Sequence, residues 1–298
     1  MIRIAISVKN TAARIALLDG DILTEYAIWN FSEPGDIGDR FTARVTAKAP
    51  AMAGSFADLG TSTGFLPDSA GAAALTEGAY FAGRITRMAQ SGKGPRLAAI
   101  AEPCAGKPGL IRQSLGPLTD FAARFPGAPI TVDDYGLIAE IFKRCREETN
   151  SELAGRVIHQ NTTFDAILED EIASLAEPSV QLPGGARMHI AFTPALTAID
   201  IDAGAATAGN AAKQPSQLAL NLALIPELTR QITLRNLAGA ILIDFAGMKS
   251  AARQKLLPAL EAALKTDPLK PQLLGLSHLG FAEITRPRLR PALHEFLQ

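Results

Sequence analysis

The chain has 298 residues, with 29 Lys and Arg against 30 Asp and Glu for a net charge of −1, and 47% hydrophobic against 20% charged residues. That length buries a sizeable core and holds two or three subdomains, and the composition excludes a disordered or collagenous chain. No apolar run is long enough to cross a membrane. Met1-Ile2-Arg3-Ile4-Ala5 enters a strand pattern without the basic start and apolar core of a signal peptide, so the expected compartment is the cytoplasm.

Residues 1–34 read as an opening hairpin. Arg14–Leu18 and Ile22–Tyr26 flank Asp19-Gly20, a favoured turn pair, and Glu33-Pro34-Gly35 marks a boundary. Residues 35–103 hold short strands with Gly and Pro punctuation: Phe41–Val45, Ala53–Leu59, Gly64–Leu66, Tyr80–Met88 and Arg96–Ala101. This spacing predicts a small closed barrel of the OB-fold kind. Residues 104–180 mix helix and strand. Tyr135–Phe142 has helical spacing, and Phe164, Ile167, Leu168 and Ile172 predict one apolar helix face. The acidic Ile130–Asp134 reads as a strand end entering a helix. Residues 181–298 alternate strand and helix as an α/β layer. Leu218, Leu222, Ile225, Leu228 and Ile232 form a helical stripe that Pro226 kinks or divides.

Two segments of the last third carry chemistry. Leu196–Asp202 and Ala240–Phe245 are aliphatic runs that end in carboxylates. Residues two apart in a strand share a face, so Asp200 and Asp202 point the same way, and Asp244 joins them if its strand is adjacent. Converging carboxylates repel unless a hard cation such as Mg²⁺ lies between them. Spacing alone favours strand-end aspartates that start turns. Beyond Asp244, Lys249, Arg253, Lys255, Lys265, Lys270, Arg286, Arg288 and Arg290 outnumber Glu261, Asp267, Glu283 and Glu295. Such an excess suits a groove beside that cation or an ordinary solvated surface, and the net charge lacks the basic footprint usual for nucleic-acid binding.

Other signals fail on spacing. Ser91–Pro95 lacks a phosphate-binding P-loop pattern, and His294–Gln298 has Gln298 where a zinc-protease helix needs its second histidine. His159, His189 and His278 are scattered and read as surface or core residues. Cys104 and Cys145 are too far apart for a redox pair or a metal knuckle.

The wording of the segments resembles the RNase E/G family of endoribonucleases. Leu196–Asp202 with Ala203-Gly204, and Ile241–Met248, are similar to its two catalytic segments. Leu182-Pro183-Gly184-Gly185, then Asn221-Leu222, Glu227 and Arg230–Gly239, and finally Thr285–Leu289, follow its pattern in order. The resemblance covers most of residues 35–103 and 155–298. It implies an α+β, α/β multidomain chain. An OB-fold barrel (35–103) is inserted into an RNase H-like subdomain (1–34 and 104–180), and a DNase I-like α/β catalytic subdomain (181–298) follows.

The resemblance also implies Mg²⁺-dependent cleavage of single-stranded RNA in processing or decay. Asp200 and Asp244 would be the metal ligands, Asp202 a supporting catalytic residue, and Phe56, Phe65 and Lys93 the RNA-binding residues. Spacing alone makes both phenylalanines barrel core. The chain departs from the family in Asp202, where Asn is usual, in Gly247, where Asp is common, and in the thinned stretch 205–212. These losses raise an alternative, a catalytically weak RNA-binding or ribosome-associated protein on the same scaffold. No Cys-x-x-Cys pair lies before Gln298, so no zinc-linked oligomer is expected, and a monomer or a dimer through another surface remains. Residues 101–112 hold no Arg-Thr pair to read a five-prime monophosphate; Arg112 is the nearest remnant, and indifference to the RNA's five-prime end is expected.

Overall fold

The computed structural model of the protein describes residues 1–104, 106–204 and 213–296. The chain divides into two compact units, Met1–Asp165 with Leu289–Pro291, and Ala166–Arg288 with Ala292–Gln298. Among the described residues no helix is long and apolar enough to cross a membrane.

In the first unit, β1 (Ile2–Lys9), β2 (Ala12–Asp19) and β3 (Ile22–Trp29) form an antiparallel meander. Two short strands, β10 (Ile130–Val132) and β11 (Val157–His159), join β1 in parallel, giving the order β11-β10-β1-β2-β3. Ile4, Ile6, Ile15, Leu17 and Trp29 pack with Leu118 and Phe121 of α1 (Pro117–Arg124) and Leu137, Ile141 and Cys145 of α2 (Tyr135–Glu147). Asp134 caps α2, its carboxylate accepting the Leu137 amide at 2.6 Å, and Asp133 accepts the Val8 amide at 2.9 Å. The acidic pair therefore serves the backbone, as its position at a strand end suggests.

Between β3 and β10 the chain makes a closed five-stranded barrel. Its strands are β4 (Arg40–Ala49), β5 (Gly54–Asp58), β6 (Thr63–Pro67), β7 (Tyr80–Arg87) and β8 (Arg96–Ile100), in the order β5-β6-β8-β7-β4. The β4–β5 pairing closes the ring, and β9 (Gly109–Arg112) adds to β4. Phe41, Val45, Leu66, Phe81, Ile85 and Leu97 fill the interior.

The second unit is built on one six-stranded sheet, β12-β13-β14-β15-β17-β16. Its strands are β12 (Ser179–Gln181), β13 (Arg187–Phe192), β14 (Leu196–Asp202), β15 (Gly239–Asp244), β16 (Gln272–Leu276) and β17 (Ala282–Arg286). Only β14 and β15 run parallel, because the helix α5 (Lys213–Leu234) crosses over between them. Alternation sends Met188, Ile190, Ile199, Ile201, Ile241 and Ile243 into one core with Leu224, Ile225, Leu228 and Ile232 of α5 and Leu260 and Leu264 of α7 (Leu257–Leu264).

Several expectations are corrected. Pro226 lies inside α5 and does not divide it. Leu222 is exposed, and Asn221 and Leu224 take the buried positions instead. Ile167 is 80% exposed, so the face of α4 (Ala166–Ser174) narrows to Leu168 and Ile172. Both α4 and β12 belong to the second unit, not to the part ending at 180. β12 pairs with β13, Arg230 meets Glu171 at 2.7 Å, and buried Arg235 donates to the Ser174, Leu175 and Glu177 carbonyls at 2.5–3.1 Å. Burial lowers the pKa of Arg235 to about 10, leaving it charged.

Candidate active site and nucleic-acid interface

The inward side chains of β13, β14 and β15 are committed to the core, so the intervening residues face the other way. Register puts Asp200 directly beside Asp244 on the parallel pair β14–β15, and His189 beside Asp200 on β13. Neighbouring strands lie about 4.8 Å apart, so the three side chains form one row across the sheet. They line an open pocket of about 220 Å³ with Ala191, Ala198, Leu242 and Phe281. Asp202 lies on the same face, and its carboxylate accepts the Gly204 amide at 3.0 Å. The condition set by the sequence, that Asp244 joins Asp200 if its strand is adjacent, is met by this register, and His189, read there as a surface or core residue, lies exposed in the same row.

Two residues outside the strands hold Asp244 in place. Asn221, fully buried on α5, donates to the Ala246 carbonyl at 3.0 Å and accepts the Ala246 amide at 3.2 Å, which fixes the turn after the carboxylate. An asparagine within an apolar helical stripe was the available clue. Arg253, in α6 (Ser250–Arg253), donates to the carbonyls of Phe245, Met248 and Gly280 at 2.8–3.1 Å. Its Nη1 also lies 2.7 Å from Asp244 Oδ1. That contact is an ion pair without hydrogen-bond angles, so Oδ1 is a buried acceptor with no hydrogen-bond donor.

The arginines of the C-terminal basic excess are largely structural. Arg286 and Asp267 form a pair at 2.7 Å that is 2% and 5% exposed. The Arg288 guanidinium packs over Gly239, and Arg290 pairs with Asp36 at 3.1 Å. Gly247 has φ +58, and a side chain there would run into the amide of Gln217. An aspartate at 247 would require Gln217 to move. The thinned stretch 205–212 lies outside the described residues.

The donor set at the row is two carboxylates, one of them with an oxygen 2.7 Å from the Arg253 guanidinium. Hard oxygen donors of this number suit Mg²⁺, which keeps most of its waters and takes one or two carboxylates. The described residues contain no group of three or more His, Cys, Asp or Glu placed to hold a metal. Cys104 is exposed, Cys145 is buried in the first unit's core, and both are free thiols.

On the barrel, Phe56 and Phe65 are register partners on β5 and β6 with rings 5.7 Å apart, edge to face. Phe56 is 36% exposed, Phe65 is half-buried, and neither belongs to the barrel core. The core reading that spacing favoured is thus corrected, because both side chains alternate outward from Ala57 and Leu66. The Phe65 ring lies across Gly54, where a Cβ would come within 2.5 Å of it. Lys93 is exposed in the β7–β8 turn, where its backbone pairs with that of Gln90. Arg112 donates to the Glu147 carbonyl at 2.7 Å and to Glu102 at 3.5 Å, so its guanidinium is committed within the protein.

Comparison with known proteins points to one family. Ribonuclease E of Nostoc sp. (strain PCC 7120) is 37% identical over 125 residues, 42% of this chain and 18% of that relative. Ribonuclease E of Escherichia coli (strain K12) is 36% identical over 129 residues, 43% of this chain and 12% of the relative. Ribonuclease G of the same strain is 32% identical over 169 residues, 55% of this chain and 34% of the relative. The matched segments thus span about a third or less of these relatives' lengths. The model of the Ribonuclease E/G family matches residues 117–289, which include β13 to β17 and both aspartates of the row, and the chain belongs to that family.

Proposed function

We propose that the protein is a Mg²⁺-dependent endoribonuclease acting on single-stranded RNA in processing or decay. The observation that carries this reading is the register pairing of Asp200 with Asp244 on the exposed face of the sheet. Asp200 and Asp244 would hold the ion, and Asp202 would support the site from the same face. The bound ion would supply polarisation of a phosphoryl oxygen and a more acidic water. Asn221 and Arg253 fix the backbone that presents Asp244. Phe56 and Phe65 would stack bases while Lys93 meets the phosphate backbone, a grip that tolerates any sequence.

The strand order β3-β2-β1-β10-β11, with the barrel inserted before β10, supports an RNase H-like reading of the first unit's sheet. The second unit would then be the DNase I-like catalytic part. The commitment of Arg112 to Glu147 and Glu102 supports indifference to the RNA's five-prime end.

One observation favours a second reading, a catalytically weak RNA-binding or ribosome-associated protein. Arg253 already supplies a positive charge at Asp244, which opposes binding of a further cation. Incubating labelled single-stranded RNA with the protein, in Mg²⁺ and separately in EDTA, decides between the two. Internal cleavage only in Mg²⁺, lost in Asp244→Asn, is expected of the nuclease. Binding without cleavage in either buffer leaves the second reading.

A further inference from the structure

In the β7–β8 hairpin of the barrel, positive charge is left uncommitted among the described residues. Between Gly78 and Ala101 the chain contains Arg84, Arg87, Lys93 and Arg96 and no acidic residue. The flanking acids are engaged elsewhere: Glu77 accepts the Lys48 amide at 2.8 Å, and Glu102 meets Arg40 and Arg112 at 3.3 and 3.5 Å. Arg87 and Arg96 have no ion pair and no side-chain hydrogen bond among the described residues, and the Arg87 Nε is buried without an acceptor.

Register gives these two arginines a direction. Phe56 on β5 pairs with Phe65 on β6, Phe65 pairs with Arg96 on β8, and Arg96 pairs with Arg87 on β7. The four residues form one transverse row across the barrel wall, two aromatics followed by two guanidiniums. A register shift between Ile85 and Arg87 makes the row possible. Without that bulge, Arg87 would share the inward parity of Ile85, which is 1% exposed.

We propose that Arg96 and Arg87 form a phosphate-binding subsite for single-stranded RNA that continues the aromatic platform across β8 and β7. This rests on the proposed RNA grip of Phe56 and Phe65 and adds the side toward which the strand's backbone leaves it. Bases stacked on the two rings place their phosphates one strand spacing away, over unpaired guanidiniums. An arginine without a protein carboxylate binds phosphate without first breaking an ion pair, and its planar fork matches two phosphate oxygens. The contact is electrostatic and independent of sequence, so it shows as counterion release.

Binding of fluorescent oligouridylate in EDTA, measured over a range of salt concentrations, tests the subsite without depending on cleavage. For Arg87→Gln with Arg96→Gln, the slope of log affinity against log salt should fall by about 1.4, about 0.7 for each lost contact. Arg87→Lys with Arg96→Lys should keep most of the slope, and Phe56→Ala should weaken binding with the slope unchanged. Arg96 is exposed, so Arg96→Gln alone, with a slope lower by about 0.7, decides the matter if the double variant misfolds. An unchanged slope in folded Gln variants, with Phe56→Ala still weakening binding, overturns the subsite and leaves the aromatic grip standing. Absence of binding by the unaltered protein overturns both.

Discussion

The arginines of the second unit and those of the barrel's β7–β8 hairpin are used differently. In the second unit, Arg235, Arg253 and Arg286 are turned inward and donate to backbone carbonyls or buried carboxylates. In the barrel of the first, Arg87, Lys93 and Arg96 stand on the outer wall, and Arg87 and Arg96 have no protein partner among the described residues. Both regions look similarly basic in the sequence, so count and spacing of charge do not report function. The informative quantity is whether a guanidinium has already found its acceptors inside the protein. Removing an inward arginine should cost stability, and removing an outward one should cost binding. The carboxylate row is a third case, negative side chains kept exposed beside a core that does not need them.

The largest effect is expected at that row. Asp244→Asn should reduce RNA cleavage to the level seen in EDTA while thermal stability and RNA binding stay near those of the unaltered protein. Each property should be measured on the same preparation, and full cleavage by this variant would sink the metal assignment. Arg286→Met comes next. It strands Asp267 as a buried charge, for which a loss of about 3–5 kcal/mol is expected in urea denaturation. A loss below about 1 kcal/mol would place this pair with ordinary surface ion pairs and blur the contrast between inward and outward arginines.

Phe56→Ala with Phe65→Ala should weaken single-stranded RNA binding by roughly 1–3 kcal/mol for each base that stacks. Both rings lie outside the barrel core, so the unfolding transition should hold. Unfolding of that variant would return the two residues to a packing role. The smallest effect concerns His294, which stacks on Phe192 with ring centroids 3.6 Å apart. Burial lowers its pKa below the usual 6.5, with Glu295 opposing the shift. A histidine depressed in the folded state contributes stability that is complete above 6.5 and is lost as pH falls through the folded value. Melting temperature should therefore drop on acidification below 6.5, and His294→Phe should shrink that drop.

Many of the local elements were legible in the sequence. Aliphatic runs ending in carboxylates located β14 and β15, Gly and Pro punctuation located the barrel strands, and alternation put Asp200 and Asp202 on one face. The Asp19-Gly20 pair located the β2–β3 turn, and motif order within 182–289 pointed to the family. These are properties of residues a few positions apart, where backbone geometry alone dictates direction.

Tertiary structure decided the rest. Adjacency of Asp200 to Asp244 depends on a parallel pairing between strands separated by the α5 crossover, and local periodicity carries no register across such a gap. His189 joined the row only because β13 lies on the other side of β14. Arg253 reads as a surface cation until the Phe245, Met248 and Gly280 carbonyls converge on it. Phe56 and Phe65 read as core until the barrel closes through β4–β5 and its interior is filled by other side chains. In each case the deciding fact is which long-range neighbour occupies the space beside a residue, and that is settled when sheets pair and cores fill.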